Sequence, residues 1–310
     1  MLYYTKMRLT KLLPAVLVAA STAPAAAEAP KVAVSIAPIH SLAAAVMADA
    51  GDPTLIIDPR QSEHTFQLKP SHARILAESR LVIWVGPALE PMFERTIGAL
   101  PKGARVLTLT RIRGLALLPR RIGLDWDRDR DGDHDHGAAG LFDPHVWLDP
   151  DNARLIVEVI RDALVELDPP NAYLYTRNAA RTASAIQDLD RTLRAALAPL
   201  KGRRFVVFHD GYQYFERHYD FVASGAIELS PEAPPGARRL TDLRERIRGG
   251  DIACVFAEPQ FSPALVQTVT EGLPVRTATL DALGFGYAPG PALWFDVMRG
   301  LARSLAGCLS

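Results

Sequence analysis

Three histidines stand where apolar or turn-rich stretches give way to polar residues. They are His64 in Ser62-Glu63-His64-Thr65-Phe66, His145 in Asp143-Pro144-His145-Val146-Trp147, and His209 in Val206-Val207-Phe208-His209-Asp210. Neutral imidazole suits zinc, copper and nickel, so three imidazoles converging from separate elements make a transition-metal site. Carboxylates accompany them: Glu63 neighbours His64, while Glu258 and Asp281 each follow a strand-like run. Asp281 offers a fourth ligand or a cap for the next helix, and Glu63 and Glu258 offer ligation or support of an imidazole. His40 closes the run Ser35–Ile39 and could look into the same cleft, whereas His72 and His218 lie in helical patterns beside charged residues, as on solvated faces.

Positioning such a site needs elements that bring distant segments together. Lys31–Ile36, Thr54–Ile57, Leu81–Val85 and Arg105–Leu109 are apolar or β-branched runs of strand length, with Ala/Leu-rich helical stretches at Ser41–Ala50 and Pro70–Ser79. Strands alternating with helices argue for α/β architecture with parallel sheets. Asp151–Leu167 carries an apolar stripe at helical period. Beyond Pro169-Pro170 a second helical pattern runs from Asn171 to Leu197 without Gly or Pro. At 1.5 Å per residue it spans about 40 Å, which suits a rigid connector. The alternation then resumes with strands at Phe205–Phe208, Phe221–Ile227, Ala253–Ala257 and Val275–Leu280, and helices at Arg239–Arg248, Pro263–Gly272 and Pro291–Ala306. The expected organisation is a first α/β domain over 28–168, a connecting helix over 169–199 and a second α/β domain over 200–310. In open α/β sheets ligands bind beyond the carboxyl ends of strands, so two domains facing one cleft would collect His64, His145, His209 and Asp281.

Composition bounds the function. The chain has 310 residues with 35 Lys+Arg against 35 Asp+Glu. A basic start at Lys6, Arg8 and Lys11, an apolar run over Leu12–Ala20 and small residues at Ala25-Ala26-Ala27 read as a secretory signal peptide over 1–27. The apolar run is shorter than the roughly 20 residues that span a bilayer, and no later run is longer, so the expected product is exported and not membrane-embedded. No clustered basic face suggests nucleic acid. Cys254 and Cys308 are the two cysteines; in an exported chain a disulfide is the first reading and a catalytic thiol the rival. The run 127–137 interleaves Asp, Arg and His without apolar periodicity. It reads as a charged loop in which His134 and His136 could capture a metal weakly.

Taken jointly, Ser35–Leu42, Glu63–Ser71, Asp143–Pro150, Phe208–Glu216, Val255–Phe261 and Thr279–Gly284 resemble the periplasmic zinc-binding proteins of ABC-type zinc uptake systems, the ZnuA group. The resemblance implies two (β/α)4 domains joined by one long backbone helix, with metal held between them. It places metal-binding histidines at His64, His145 and His209, the variable fourth ligand at Asp281, and the disulfide at Cys254 and Cys308. The short acidic loop lies where that group carries a His-rich insertion. The implied function is Zn2+ capture in the periplasm, as a monomer, for delivery to an inner-membrane ABC permease. Related manganese or iron receptors place a second carboxylate where His209 stands. A hydrolase would need an open metal position and a general base, and no His-Glu-x-x-His pattern occurs. No lipobox cysteine stands near the cleavage site, which favours a soluble form over a surface adhesin.

Overall fold

The computed structural model describes residues 29–121, 142–228, 235–250 and 252–310, together with Met1 and Trp126. The expected signal peptide and the segment carrying His134 and His136 lie outside the described residues.

The first half alternates β1 (Val32–Val34), α1 (Ala37–Met47), β2 (Thr54–Leu55), α2 (Pro70–Glu78), β3 (Leu81–Trp84), α3 (Pro91–Gly98) and β4 (Arg105–Thr108). Its strands pair in parallel in the order β2-β1-β3-β4. Two helices follow, α4 (Pro150–Leu167) and α5 (Ala172–Leu197). The second half runs β5 (Phe205–His209), α6 (Gln213–Tyr219), β6 (Gly225–Glu228), α7 (Ala237–Arg248), β7 (Cys254–Ala257), α8 (Ala264–Thr270), β8 (Arg276–Thr279) and α9 (Leu293–Leu309). Its parallel sheet has the order β6-β5-β7-β8, the same topology as the first. The central strands β1, β3 and β5 are buried along their whole length, as expected where helices cover both faces of a parallel sheet.

Two helices were not evident in the sequence, α3 and α6. Each spans only two turns or so, too short for an apolar stripe to show its period. The connector is as long as its pattern suggests: α5 has 26 residues, about 39 Å at 1.5 Å each. It buries Tyr175, Ala179, Ile186, Leu189, Leu193 and Leu197, packing against α1, α4 and α9.

One hydrophobic core runs through both halves, from Val32 on β1 through Trp147 and Tyr214 to Leu309 on α9. A smaller cluster, including Val206, Ile227, Leu243 and Val269, lies on the other face of the second sheet. Helix α9 crosses back to the first half, where the Trp294 backbone N–H donates to Ser41 Oγ (3.0 Å) and its indole donates to Trp147 O (2.9 Å). Cys254 on β7 and Cys308 on α9 form a disulfide with Cα atoms 6.0 Å apart and a sequence separation of 54. In the chain-entropy model a loop of that size is worth about 4 kcal/mol. Replacing both cysteines by alanine should lower the unfolding free energy by about 2–4 kcal/mol in denaturant titration, with the far-ultraviolet spectrum of the native state unchanged.

Candidate metal centre

The second sheet carries its part of the site at the topological switch point between β5 and β7. The register pairs Val206 with Val255, so counting forward sets His209, the last residue of β5, opposite Glu258, just beyond β7. Glu258 Oε1 lies 2.6 Å from His209 Nδ1 and accepts the His209 backbone N–H at 3.3 Å. Ligand sites favour this place because the strand order reverses there and opens a crevice.

His145 is positioned by its own sequence. Asp143 Oδ1 accepts the His145 backbone N–H (2.9 Å) and lies 2.7 Å from its Nδ1. This is the local bonding by which Asp stabilises a tight turn. One 3-10 turn over Val146–Leu148 follows, and Asp149 then caps α4 by accepting from Asp151 N and Asn152 N. Trp147 packs against the His145 ring at 5.2 Å and donates from its indole to Ala282 O at 3.0 Å. His64 comes from the irregular segment between β2 and α2, with its backbone N–H on Ser62 Oγ (3.3 Å).

The three rings meet. His64, His145 and His209 each offer a nitrogen, all within 4.8 Å of one another, and all three residues are at most 6% exposed. The Nε2 atoms of His145 and His209 are 3.2 Å apart. Glu63, equally buried, points Oε1 to 3.7 Å from His64 Nε2 and 4.0 Å from His145 Nε2. With an Nδ1–H directed at Asp143 and at Glu258, the Nε2 lone pairs of His145 and His209 face inward, the usual arrangement behind metal-bound histidine.

Burial of so many charges moves their titration. His145 is held well below the ordinary histidine value by burial and then by the neighbouring His209 and His64. Burial also acts to lower His209, but the charge and hydrogen bond of Glu258 outweigh it and raise it to about 9. Burial pushes Asp143 up to about 6 against its bond from His145. Glu90, wholly buried, rises to about 7 although Val85 N and Gly86 N donate to it.

The remaining candidates fall elsewhere. The structure does not bring Asp281 into the group of three histidines. Its Oδ1 accepts from Gly284 N (2.8 Å), Leu283 N (3.2 Å) and Gln260 Nε2 (3.3 Å), so it organises the turn after β8. His40 does not face the centre either: on α1 its Nε2 bonds to Pro53 O at 3.0 Å, and burial lowers its pKa. His72 accepts Lys69 N through Nδ1 (3.1 Å) at the start of α2. Asp143 was not singled out in the sequence as a partner of His145, although Asp-Pro-His carries the turn signal that could have found it.

His218 is not on a solvated face, contrary to its charged helical context. Its Nε2 lies 2.8 Å from Asp190 Oδ1 on α5 and 2.8 Å from Arg194, and its Nδ1 lies 3.4 Å from Asp149 Oδ1 and 4.0 Å from Asp151 Oδ2. The Tyr219 ring packs at 4.8 Å. The Arg194 guanidinium also lies 3.5 Å from Asp190 Oδ1, so the group reads as a tie between α4, α5 and α6. Arg121 makes a second tie: it forks between Asp210, next to His209, and Glu216, with its face 3.8 Å from the Trp126 ring. Burial acts to lower His218, but Asp149 and Asp190 prevail and its pKa is raised. A raised folded value means stability fully present below about pH 6.5 and lost as pH rises through the folded pKa. The loss of stability in His218→Gln should therefore be larger at pH 6 than at pH 9, as read by urea unfolding.

Paired α/β sheets, a long connecting helix and a buried cluster of three imidazoles define a metal-binding member of the solute receptors. Residues 32–308 match the family model described as ZnuA, zinc-uptake complex component A, periplasmic, and the chain belongs to that family. It is 38% identical to the high-affinity zinc uptake system protein ZnuA of Brucella suis biovar 1 (strain 1330), over 92% of this chain and 93% of that one. Identity is also 38% to the protein of that name in Paracoccus denitrificans (strain Pd 1222), over 92% and 94%. With that of Yersinia pestis it is 31%, over 89% and 90%. Among solved structures, a crystal structure of ZnuA superposes with a TM-score of 0.77 at 24% identity, covering 91% of this chain and all 100% of the other. The manganese complex of FpvC from Pseudomonas aeruginosa gives 0.76 at 20% identity, over 90% and 98%. These structural likenesses establish the fold.

Proposed function

We propose that this chain is a periplasmic receptor that captures Zn2+ with His64, His145, His209 and Glu63 and hands it to an ABC-type permease. The observation that carries this reading is the convergence of three buried imidazoles, two of them backed by Asp143 and Glu258. Three nitrogen ligands with one carboxylate suit tetrahedral Zn2+, whereas manganese prefers shells richer in oxygen. Glu63 takes the fourth place ahead of Asp281 because its carboxylate already lies within 4.0 Å of two Nε2 atoms. A shell filled by four side chains leaves no position for an activated water, so the protein acts as a carrier and not as a hydrolase.

Further support comes from the family, described as periplasmic zinc-uptake components, and from relatives named high-affinity zinc uptake proteins. Among the described residues no helix is long and apolar enough to cross a membrane, which fits a partner that supplies the membrane path. Capture itself is a proton exchange. Each ligating imidazole must be neutral, so capture competes with protons and affinity rises with pH.

Competitive titration with a chromogenic chelator tests the assignment. The mature protein should bind one Zn2+, and equal manganese should not displace it. His209→Ala should weaken binding by more than the roughly 10–100-fold that loss of an outer partner costs. Between pH 7.5 and 5.5 affinity should fall roughly 100-fold, tenfold per unit for each proton displaced. Manganese displacing zinc at similar concentration, or affinity unchanged at the lower pH, would refute the reading.

A further inference from the structure

The three imidazoles stand on different kinds of backbone. Asp143 and His145 are fixed across the cleft by the Tyr214 hydroxyl, which donates to Asp143 O (2.7 Å) and accepts from Leu118 N (3.0 Å). The Trp147 indole bond to Ala282 O adds a second fixed point. His209 ends a buried central strand. Glu63 and His64, by contrast, ride on residues 56–69, which contain neither helix nor strand. The sheet's ladder continues into that segment only through Ile56 N to Val34 O and Ile57 N to Ser35 O.

Just past those bonds, Pro59 O accepts from Gln260 Nε2 across the cleft at 3.1 Å. The same nitrogen lies 3.3 Å from Asp281 Oδ1. A side-chain amide has two N–H groups, so one can serve each acceptor. Asp281 Oδ1 is itself anchored by Gly284 N and Leu283 N. The chain of bonds thus runs from the turn after β8, through Asp281 and Gln260, to the backbone of the segment that carries Glu63 and His64.

We propose that Gln260 and Asp281 form a strut that holds the Glu63–His64 segment shut over the bound cation, and that Asp281 acts by this positioning and not as a ligand. The inference rests on the reading of His64, His145 and His209 as cargo ligands. A segment without its own backbone ladder opens at low cost unless tertiary bonds hold it. In many enzymes the opening of such a segment sets the rate of product release, and the same gating applies to a bound cation. Release then proceeds by movement of one segment while His145 and His209 stay in place.

The test uses the mature protein loaded with Co2+ or Zn2+, in Gln260→Ala, Asp281→Ala, the double variant and Asp281→Asn. The visible spectrum of bound Co2+ reports the ligand set; the rate of Zn2+ loss to excess chelator reports the strut. Gln260→Ala and Asp281→Ala should each keep the wild-type spectrum and one-to-one binding, and release Zn2+ roughly tenfold faster. The double variant should be no faster than either single one, because both break the same chain of bonds. Asp281→Asn keeps an acceptor oxygen but is a poor zinc ligand, so it should release at close to the wild-type rate. Hydrogen exchange should quicken over 58–66 and not over 143–148 or 205–209, which separates the strut from general destabilisation. A wild-type release rate in Gln260→Ala, or an altered Co2+ spectrum in Asp281→Ala, would overturn the strut. A Co2+ spectrum in the wild type that His64→Ala leaves unchanged would instead overturn the underlying ligand reading.

Discussion

A buried carboxylate behind an inward-facing imidazole is the interaction on which the rest of the structure depends. Asp143 behind His145 and Glu258 behind His209 direct the Nδ1 atoms outward and leave the Nε2 atoms facing each other at 3.2 Å. A charge buried without a partner costs several kcal/mol, so each carboxylate must be bonded and the bonding geometry constrains the backbone around it. The parallel register of β5 and β7 supplies one pair, and the Asp-Pro-His turn supplies the other. The centre is therefore built from a sheet on one side and a capped helix entry on the other.

The surrounding scaffold keeps those two supports in register. A single hydrophobic core passes from one sheet to the other. Trp147 and Trp294 bond across it, and α5 packs against helices of both halves. Arg121 and His218 add ion pairs that tie α6 to the first half. Against this frame the segment bearing Glu63 and His64 is irregular, with neither helix nor strand over 56–69. In the proposed release that segment moves while the continuous core stays intact.

Much of this was legible in the sequence, because the signals were long or local. The stripe of α4 and the Gly- and Pro-free run of α5 declared themselves through many repeats of one period. The alternation of short apolar runs with helices pointed to parallel sheets, and His209 at a strand end pointed to the cleft. What escaped depended on partners distant in sequence. A carboxylate after a strand can ligate or can organise a turn, and the bonds that Gly284 and Gln260 give Asp281 come from residues the strand-end pattern does not reveal. His218 looks solvated on its own helix, yet α4 and α5 bring Asp149 and Asp190 to it. His40 ends a run that could open on the cleft, but the helix turns its ring to Pro53.

The central claim is a nitrogen-rich shell around the cargo, and X-ray absorption at the zinc edge on the loaded protein measures that shell most directly. The account predicts three imidazole nitrogens at about 2.0–2.1 Å and one carboxylate oxygen at about 2.0–2.2 Å. A shell dominated by oxygen, or one with fewer than three imidazoles, would contradict it.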